Sequence, residues 1–247
     1  NKVLSGISND LEEINKLCEN FYERNIIEIK PFDTQPIFNK KGFTGSDFPS
    51  DKSEKEFRII VLGGSVIQGS GNATEETTIP FILQKMIEQN TDEQVRVING
   101  AGSAGNSIYQ TELIKTQVIK YNPDTIIVLA GWNDLSADYS ILKIKELWEE
   151  TCKVASNNKF DIIIFIQPIA GFGNKDLTLQ EKINSLTGKD YNGFQLLQSK
   201  SSYDFMFREL ASLNDGCHVT DIRDVFDDIE GTVYWDQGHL NDLGNLI

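Results

Sequence analysis

Short apolar runs that alternate with longer amphipathic stretches constrain the fold of this chain more than any other feature. The apolar runs are rich in β-branched residues and cover 57–62, 95–98, 125–130, 161–166 and, more weakly, 217–220. Amphipathic stretches lie between or after them, at about 79–89, 106–121, 139–156 and 191–213. Runs this short and this apolar are typical of strands that are buried on both faces of a sheet. The alternation therefore predicts an α/β protein with a parallel five-stranded sheet covered by helices on both sides.

The first part of the chain lacks this alternation. Apolar residues at spacings of three and four predict an amphipathic helix over 9–25, and residues 31–56 show no period and indicate a long surface segment. We expect two parts, an N-terminal helix with an extended segment over 1–56 and a main domain over 57–247. The chain begins with Asn1 rather than Met. A preceding signal or anchor is therefore left open, and the sequence predicts neither an exported nor a cytoplasmic location.

The charge balance excludes several classes of partner. Lys and Arg number 23 against 37 Asp and Glu, which gives a net charge of −14. Such a surface repels phosphate backbones and anionic lipids, so we expect no nucleic-acid partner. No apolar run approaches the roughly 20 residues of a membrane-spanning helix. The partner that remains is a small molecule or a carbohydrate, and the sequence does not predict an oligomeric state.

The cysteines give no sign of a metal site. Cys18, Cys152 and Cys217 are odd in number and widely separated, and no C-x-x-C pair occurs. This pattern predicts small buried thiols rather than a disulfide framework or a zinc site. We expect no metal and no cofactor.

Glycine-rich or polar segments follow four of the five predicted strands. They are 63–69, 99–107, 131–134 and, beyond the fifth strand, 234–241. In an open parallel sheet, ligands bind beyond the carboxyl ends of the strands. The four segments therefore predict one site at that edge. The segment 168–190, with Pro and three Gly, is either a mobile flap near this site or an ordinary surface loop.

Ser65 is a candidate nucleophile at this edge. It lies where a strand turns into a helix, among glycines that permit a tight turn, although a serine that caps the helix explains the same position. A serine nucleophile needs a base, which is almost always histidine. His218 lies inside an apolar run, which favours a buried structural role. His239 follows Asp236 by three residues, so the carboxylate can bind Nδ1 and leave Nε2 to accept the serine proton.

A third requirement is a set of donors for a developing oxyanion. The backbone N–H groups of Ser65 and of a glycine in the second segment are candidates, and the side-chain amide of Asn133 is another. Turn or cap geometry also explains each of these residues.

Together the four segments resemble the sequence blocks of the SGNH hydrolases, also called GDSL esterases and lipases. The resemblance covers about 57–247, which it makes the catalytic domain, and it omits the first 56 residues. It implies a flavodoxin-like three-layer α/β/α sandwich. Members of the family are mostly esterases, including carbohydrate deacetylases, lysophospholipases and thioesterases.

The resemblance also implies roles for individual residues. By it, Ser65 is the nucleophile, His239 the base and Asp236 the acid that orients this base. Asn133, in the run Gly-Trp-Asn-Asp, is similar to the oxyanion asparagine of the family.

Two glycines in these blocks need separate comment. Gly105 begins a Gly-Asn-Ser run that is similar to the G-x-[ST] of the family and is the expected oxyanion glycine, with Gly102 as the alternative. Gly64 stands where many members carry Asp in G-D-S, which leaves the support of the local turn in question.

These observations predict a metal-independent serine esterase that works through an acyl-enzyme. We expect short acyl groups, such as acetyl on a carbohydrate. We expect Trp132, Trp235 and Gln167 to contact this substrate, although aromatic residues at such positions also commonly pack. A lysophospholipase or thioesterase, an acyltransferase and a non-catalytic carbohydrate-binding relative remain alternatives.

Overall fold

The computed structural model describes residues 38–72, 74–136, 139–187 and 200–247. Within these ranges, strands and helices alternate from Glu56 onwards. In chain order the elements are β1 Glu56–Leu62, α1 Ser65–Gln68, α2 Ile79–Asn90, β2 Gln94–Asn99, α3 Ser107–Thr116, β3 Thr125–Ala130, α4 Trp132–Ser136, α5 Ile141–Asn158, β4 Asp161–Ile166, α6 Leu179–Thr187, α7 Lys200–Leu210, β5 Cys217–Asp221 and α8 Asp242–Leu246. The helix predicted over 9–25 lies outside the described residues.

The five strands form one parallel sheet in the order β2-β1-β3-β4-β5. The prediction of a parallel five-stranded sheet is thus confirmed, and β3 and β4 have the predicted bounds. After β1 the chain adds β2 on one side of β1 and then β3 on the other side, so the switch point of the sheet lies between β1 and β3. In a doubly wound fold of this order, ligands bind at that switch point, outside the carboxyl ends of the strands.

Helices cover both faces of the sheet, which is why its central strands are largely apolar. One face buries residues such as Ile60 and Ile126 against α3, α5 and α7, where Trp148 is fully buried. The other face buries residues such as Val61 against α1, α2 and α8. The result is the predicted three-layer α/β/α sandwich.

The described part of the N-terminal segment, residues 38–55, packs against this sandwich. Phe43 and Phe48 are buried in the same core as the sheet, and both rings contact the edge of Tyr121. The guanidinium of Arg58, which is fully buried, donates hydrogen bonds to backbone carbonyls of this segment, including that of Ser50. Residues 38–55 therefore share their core with the sheet.

The structure corrects the prediction of free thiols. Cys152 in α5 and Cys217 at the start of β5 form a disulfide, and both are buried. They are 65 residues apart in sequence, but α5 runs over the sheet and brings the two Cα atoms to 5.4 Å. Spacing along the chain gave no sign of this contact because it depends on tertiary packing. Cys18 lies outside the described residues.

The two edge strands differ in how their outer sides are covered. On β2, the side-chain amide of Gln84 accepts the N–H of Val97 at 2.6 Å and donates to the carbonyl of Val95 at 3.0 Å. On β5, His218 is exposed, so the predicted buried role was wrong. The run around His218 looks apolar, but alternate side chains of a strand point to opposite faces, and on β5 the face of His218 and Thr220 is exposed.

None of the helices in the described ranges is both long and apolar enough to cross a membrane.

Candidate active site

Three predicted side chains meet at the switch point of the sheet. The hydroxyl Oγ of Ser65 lies 2.7 Å from Nε2 of His239, and Nδ1 of His239 lies 2.7 Å from Oδ2 of Asp236. Ser65 and His239 are 174 residues apart in the chain. All three are buried or nearly so, with exposed fractions of 9% for Ser65, 4% for His239 and 3% for Asp236. Their hydrogen bonds are therefore shielded from competing water.

Ser65 is the first residue of α1, and Gly64 is the N-cap. The helix-cap explanation of Ser65 therefore does not apply, because its hydroxyl is directed to His239 rather than to an amide of its own helix. Helix α1 ends after one turn at Gly69, whose φ of 102° favours glycine. The N–H of Ser65 has no acceptor among the residues that the structure describes.

The carboxylate of Asp236 is held on both oxygens. Oδ1 accepts the backbone N–H groups of Gly238 and His239, at 2.9 and 2.7 Å, while Oδ2 faces the imidazole. Burial acts to raise the pKa of Asp236, but the hydrogen bond and charge of His239 and the two N–H groups outweigh it and hold the pKa below its ordinary value. Asp236 is thus kept ionised, which suits a group that stabilises a neighbouring imidazolium.

The side chain of Asn133 lies beside the turn that carries Ser65. Its Nδ2 donates a hydrogen bond to the carbonyl of Gly105 at 3.0 Å. An amide nitrogen carries two hydrogens, so one donor of Asn133 remains. The N–H of Gly105 donates to the carbonyl of Gly102 at 3.0 Å, and the N–H of Gly102 donates to the carbonyl of Gly63 at 3.3 Å. Both candidate glycine donors are therefore engaged within the turns in this structure.

Gly64 and Gly105 allow these segments to approach closely. A Cβ at Gly64 would lie 2.1 Å from Nδ2 of Asn133, and one at Gly105 would lie 2.5 Å from the carbonyl oxygen of Gly63. The space that an aspartate at position 64 would need is thus filled by the amide of Asn133. Gly64 therefore leaves room for the Asn133 amide beside the turn of Ser65.

A family model described as the GDSL-like Lipase/Acylhydrolase family matches residues 61–247. The chain belongs to this family. It is therefore a hydrolase that acts on ester bonds, as the sequence blocks predicted.

Solved structures with the same fold include several esterases. The acetyl xylan esterase AlAXEase shares 17% identity over 77% of this chain and 94% of its own, with a TM-score of 0.56. TesA shares 12% identity over 76% of this chain and 91% of its own, with a TM-score of 0.54. A two-domain esterase active on acetylated mannans shares 18% identity over 77% of this chain and 45% of its own, with a TM-score of 0.53. A comparison with curated proteins gives no match.

A second buried carboxylate, that of Asp134, joins the segments that follow β2 and β3 in this GDSL hydrolase. Asp134 accepts the N–H and the hydroxyl of Ser107, at 2.7 and 2.9 Å, and the N–H of Gly131 at 3.2 Å. Trp148 in turn donates its indole N–H to the Ser107 hydroxyl at 2.8 Å. Burial raises the pKa of Asp134 to about 6, although the hydrogen bonds from Ser107 and Gly131 act to lower it. Asp134 therefore fixes the segment after β2 to the segment after β3, next to Asn133, a role that the sequence did not indicate.

Two predicted substrate contacts lie beneath the site. Trp132 is 3% exposed, and its ring meets the ring of His239 edge to face at a centroid distance of 4.8 Å. Gln167 is 4% exposed and donates to the carbonyl of Gly238 at 3.0 Å. Both side chains thus support the loop that carries His239.

Trp235, the third predicted substrate contact, is partly buried, and its indole donates to the carbonyl of Gly71 at 3.0 Å. Its ring fits against Gly71, where a Cβ would lie 2.9 Å from the ring. It joins the loop of Asp236 and His239 to the segment after Ser65.

Among the described residues, no group of three or more histidine, cysteine or acidic side chains could hold a metal ion.

Proposed function

We propose that this hydrolase cleaves short-chain carboxylic esters through an acyl-enzyme on Ser65, and that its substrates are acetyl esters of carbohydrates. One observation carries the proposal of a serine mechanism. A hydroxyl, an imidazole and a carboxylate form a continuous chain of two 2.7 Å hydrogen bonds in a buried site. This is the arrangement that activates a serine for acyl transfer.

The proposed reaction begins with attack of the Ser65 Oγ on the ester carbonyl carbon. His239 takes the hydroxyl proton at Nε2 while Asp236 stabilises the imidazolium through Nδ1–H. The tetrahedral intermediate then collapses, and His239 gives the proton to the leaving alcohol. Water, deprotonated at the same Nε2, attacks the acyl-enzyme and releases the carboxylic acid and free Ser65.

The oxyanion of both tetrahedral intermediates needs donors on the side of Asn133. We assign the N–H of Ser65, which has no acceptor among the described residues, and the second hydrogen of the Asn133 amide. The N–H of Gly105 completes the set by sharing its present hydrogen bond to Gly102. These donors are neutral, so they stabilise a negative charge without a buried cation of their own.

The choice of substrate rests on the chemistry of related folds. Two structures with this fold are by name an acetyl xylan esterase and an esterase active on acetylated mannans. At 17% and 18% identity they support the fold and suggest which substrates to try first. The alternatives are a lipid-type esterase, an acyltransferase and a carbohydrate-binding relative without activity.

Labelling with a fluorophosphonate tests the proposed nucleophile. Wild-type protein is expected to be labelled, whereas Ser65→Ala and His239→Ala are expected to lose labelling and at least about 10⁴-fold in esterase rate. His218→Ala is the matched control, because His218 is exposed on the edge strand β5. Labelling of Ser65→Ala at the wild-type rate would exclude Ser65 as the nucleophile.

A panel of esters tests the substrate. We expect p-nitrophenyl acetate to be cleaved with a higher kcat/KM than the octanoate, and acetylated xylan or mannan oligosaccharides to release acetate. A preference for long acyl chains would favour the lipid esterase instead. Transfer of the acyl group to an added alcohol in place of hydrolysis would identify an acyltransferase.

A further inference from the structure

The loop that carries Asp236 and His239 has little regular structure of its own. Between Gly231 and Asn241 it contains one isolated bridge, Tyr234 to Leu240, and bends. Such a segment needs contacts from elsewhere to hold two catalytic groups at hydrogen-bonding distance. Besides Trp132, Gln167 and Gly71, such contacts come from residues 168–187, the described part of the segment 168–190, for which sequence analysis left open a flap or a surface loop.

Glu181, in the first turn of α6, is fully buried and binds the loop through one of its two oxygens. Its Oε2 accepts the N–H of Thr178, and the hydroxyl of Thr178 accepts the N–H of Glu181, an exchange that caps the helix. Helix capping accounts for that oxygen only. Oε1 accepts the N–H groups of Val233 at 2.8 Å and Tyr234 at 3.3 Å, directly before Trp235 and Asp236.

Lys175 binds the same loop as a hydrogen-bond donor, whereas Glu181 binds it as an acceptor. Its ammonium donates to the carbonyls of Ile229 at 2.9 Å and Gly231 at 2.7 Å, and it lies 3.6 Å from Oε2 of Glu181. The two side chains are 4% and 0% exposed. A buried ion pair is costly to form unless its remaining hydrogen-bonding groups are satisfied. Here the groups that satisfy it are the backbone N–H and C=O groups of residues 229–234.

Val233 and Tyr234, which Glu181 binds, adjoin the turn that contains Asp236 and His239. Val233 accepts the N–H of Asn241, and the N–H of Trp235 donates to the carbonyl of His239 at 2.8 Å. A shift of the backbone at 233–234 therefore moves both ends of the turn that contains Asp236 and His239.

We propose that Glu181 and Lys175 are positioning residues for the Asp236–His239 pair, so that α6 and the segment before it form a rigid support for the general base. The inference rests on the proposed serine mechanism. It assigns no contact with the substrate to either residue. Their effect is on the orientation of the imidazole.

Three variants test this proposal: Glu181→Gln, Lys175→Met and the combination of the two, which leaves no lone charge buried. We expect kcat on p-nitrophenyl acetate to fall about 10- to 100-fold, because displacements of about 1 Å in a catalytic group have effects of this size. KM is expected to stay within about twofold. If Glu181→Gln does not fold, the neutral double variant and Lys175→Met carry the test.

Two control variants separate positioning from stability. Lys182→Met removes an exposed lysine of the same helix, whose partner is Asp176. Ile144→Val removes one methylene from the core on the opposite face of the sheet and so lowers stability. Both are expected to keep the wild-type kcat when assayed below their unfolding temperatures.

A spectroscopic readout keeps this proposal distinct from the proposed function. In protein labelled with nitrogen-15 histidine, the Nδ1–H of His239 reports the hydrogen bond to Asp236 whether or not an ester is cleaved. We expect this resonance to shift or broaden in the three variants, while the ring nitrogen resonances of the exposed His218 do not change. Folded variants with wild-type kcat, or with an unchanged His239 resonance, would overturn the positioning role. Absence of labelling and esterase activity in the wild type would overturn the proposed function alone.

Discussion

The proposed nucleophile and the proposed base of this hydrolase are held in different ways. Ser65 and Asn133 directly follow β1 and β3, two central strands that are each paired on both sides. Asp236 and His239 lie in an irregular segment after β5, which is an edge strand, and the chain must return past β4 and β3 to reach Ser65. The backbone of the central strands places Ser65 and Asn133. Distant side chains such as Glu181 place Asp236 and His239.

This difference predicts different sensitivities to substitution. Around Ser65 the segments are in close contact through glycines, so added volume is harmful. Around His239 the loop depends on buried polar partners, so their removal is harmful. The following predictions compare substitutions around Ser65 with substitutions around His239, in decreasing order of the expected effect on activity or stability.

Among substitutions outside Ser65, Asp236 and His239, the largest expected effect is that of Asn133→Ala, beside the turn of Ser65. Loss of one oxyanion donor typically costs about 100- to 1000-fold in kcat. The measurement is steady-state kinetics on p-nitrophenyl acetate, with Asn158→Ala as the control, since the Asn158 amide is exposed and binds only its own helix. A loss below tenfold for Asn133→Ala would show that this amide is not an oxyanion donor.

The two buried carboxylates, one on each side, are expected to affect stability with opposite dependence on pH. The pKa of Asp134 is raised to about 6 by burial, so the folded state holds its proton more tightly than the unfolded state. Its contribution to the free energy of unfolding is therefore fully present below about pH 4 and is lost as the pH rises through about 6, a change on the order of 3 kcal/mol. The pKa of Asp236 is lowered, so its contribution is present above about pH 4 and is lost as the pH falls.

Urea unfolding of Asp134→Asn and Asp236→Asn from about pH 2 to pH 7 tests this contrast. Relative to wild type, Asp134→Asn is expected to become less destabilising as the pH rises from about 4 through 6, whereas Asp236→Asn becomes more destabilising as the pH rises to about 4 and is then constant. The same slope in both variants would contradict the opposite pKa shifts.

The smallest expected effect comes from the contact between Gly64 and Asn133. A Cβ at position 64 would lie 2.1 Å from Nδ2 of Asn133, so Gly64→Ala must displace the amide. We expect a loss of about tenfold in kcat, since a displaced donor keeps part of its effect. A double-mutant cycle measures the cause: the loss is expected to vanish when Asn133 is already alanine. If the two losses multiply instead, the effect of Gly64→Ala has a different origin.

The sequence predicted the sheet well because its strands are buried on both faces. Continuous apolar runs mark such strands directly, and the runs at 125–130 and 161–166 match β3 and β4. That the Ser65, Asp236 and His239 side chains lie together was predicted because each belongs to a short motif beyond the carboxyl end of a strand. Neither kind of signal depends on knowing the tertiary contacts.

Other features could not be found in this way. The disulfide between Cys152 and Cys217 joins residues that only the packing of α5 on the sheet brings together. The exposure of His218 follows from the position of β5 at the edge, which its composition does not show. The Thr-x-x-Glu spacing of Thr178 and Glu181 indicates a capping box. Nothing in the sequence shows that the second oxygen of Glu181 binds the distant backbone of Val233 and Tyr234.

The side chain of Gln84 has a consequence for how copies of this protein meet. Its amide supplies a donor and an acceptor to Val95 and Val97, as the main chain of a sixth strand would. An incoming strand from another molecule must first break both hydrogen bonds before it can extend the sheet at β2. This edge is therefore protected against strand addition and the aggregation that follows from it, at the cost of a single glutamine.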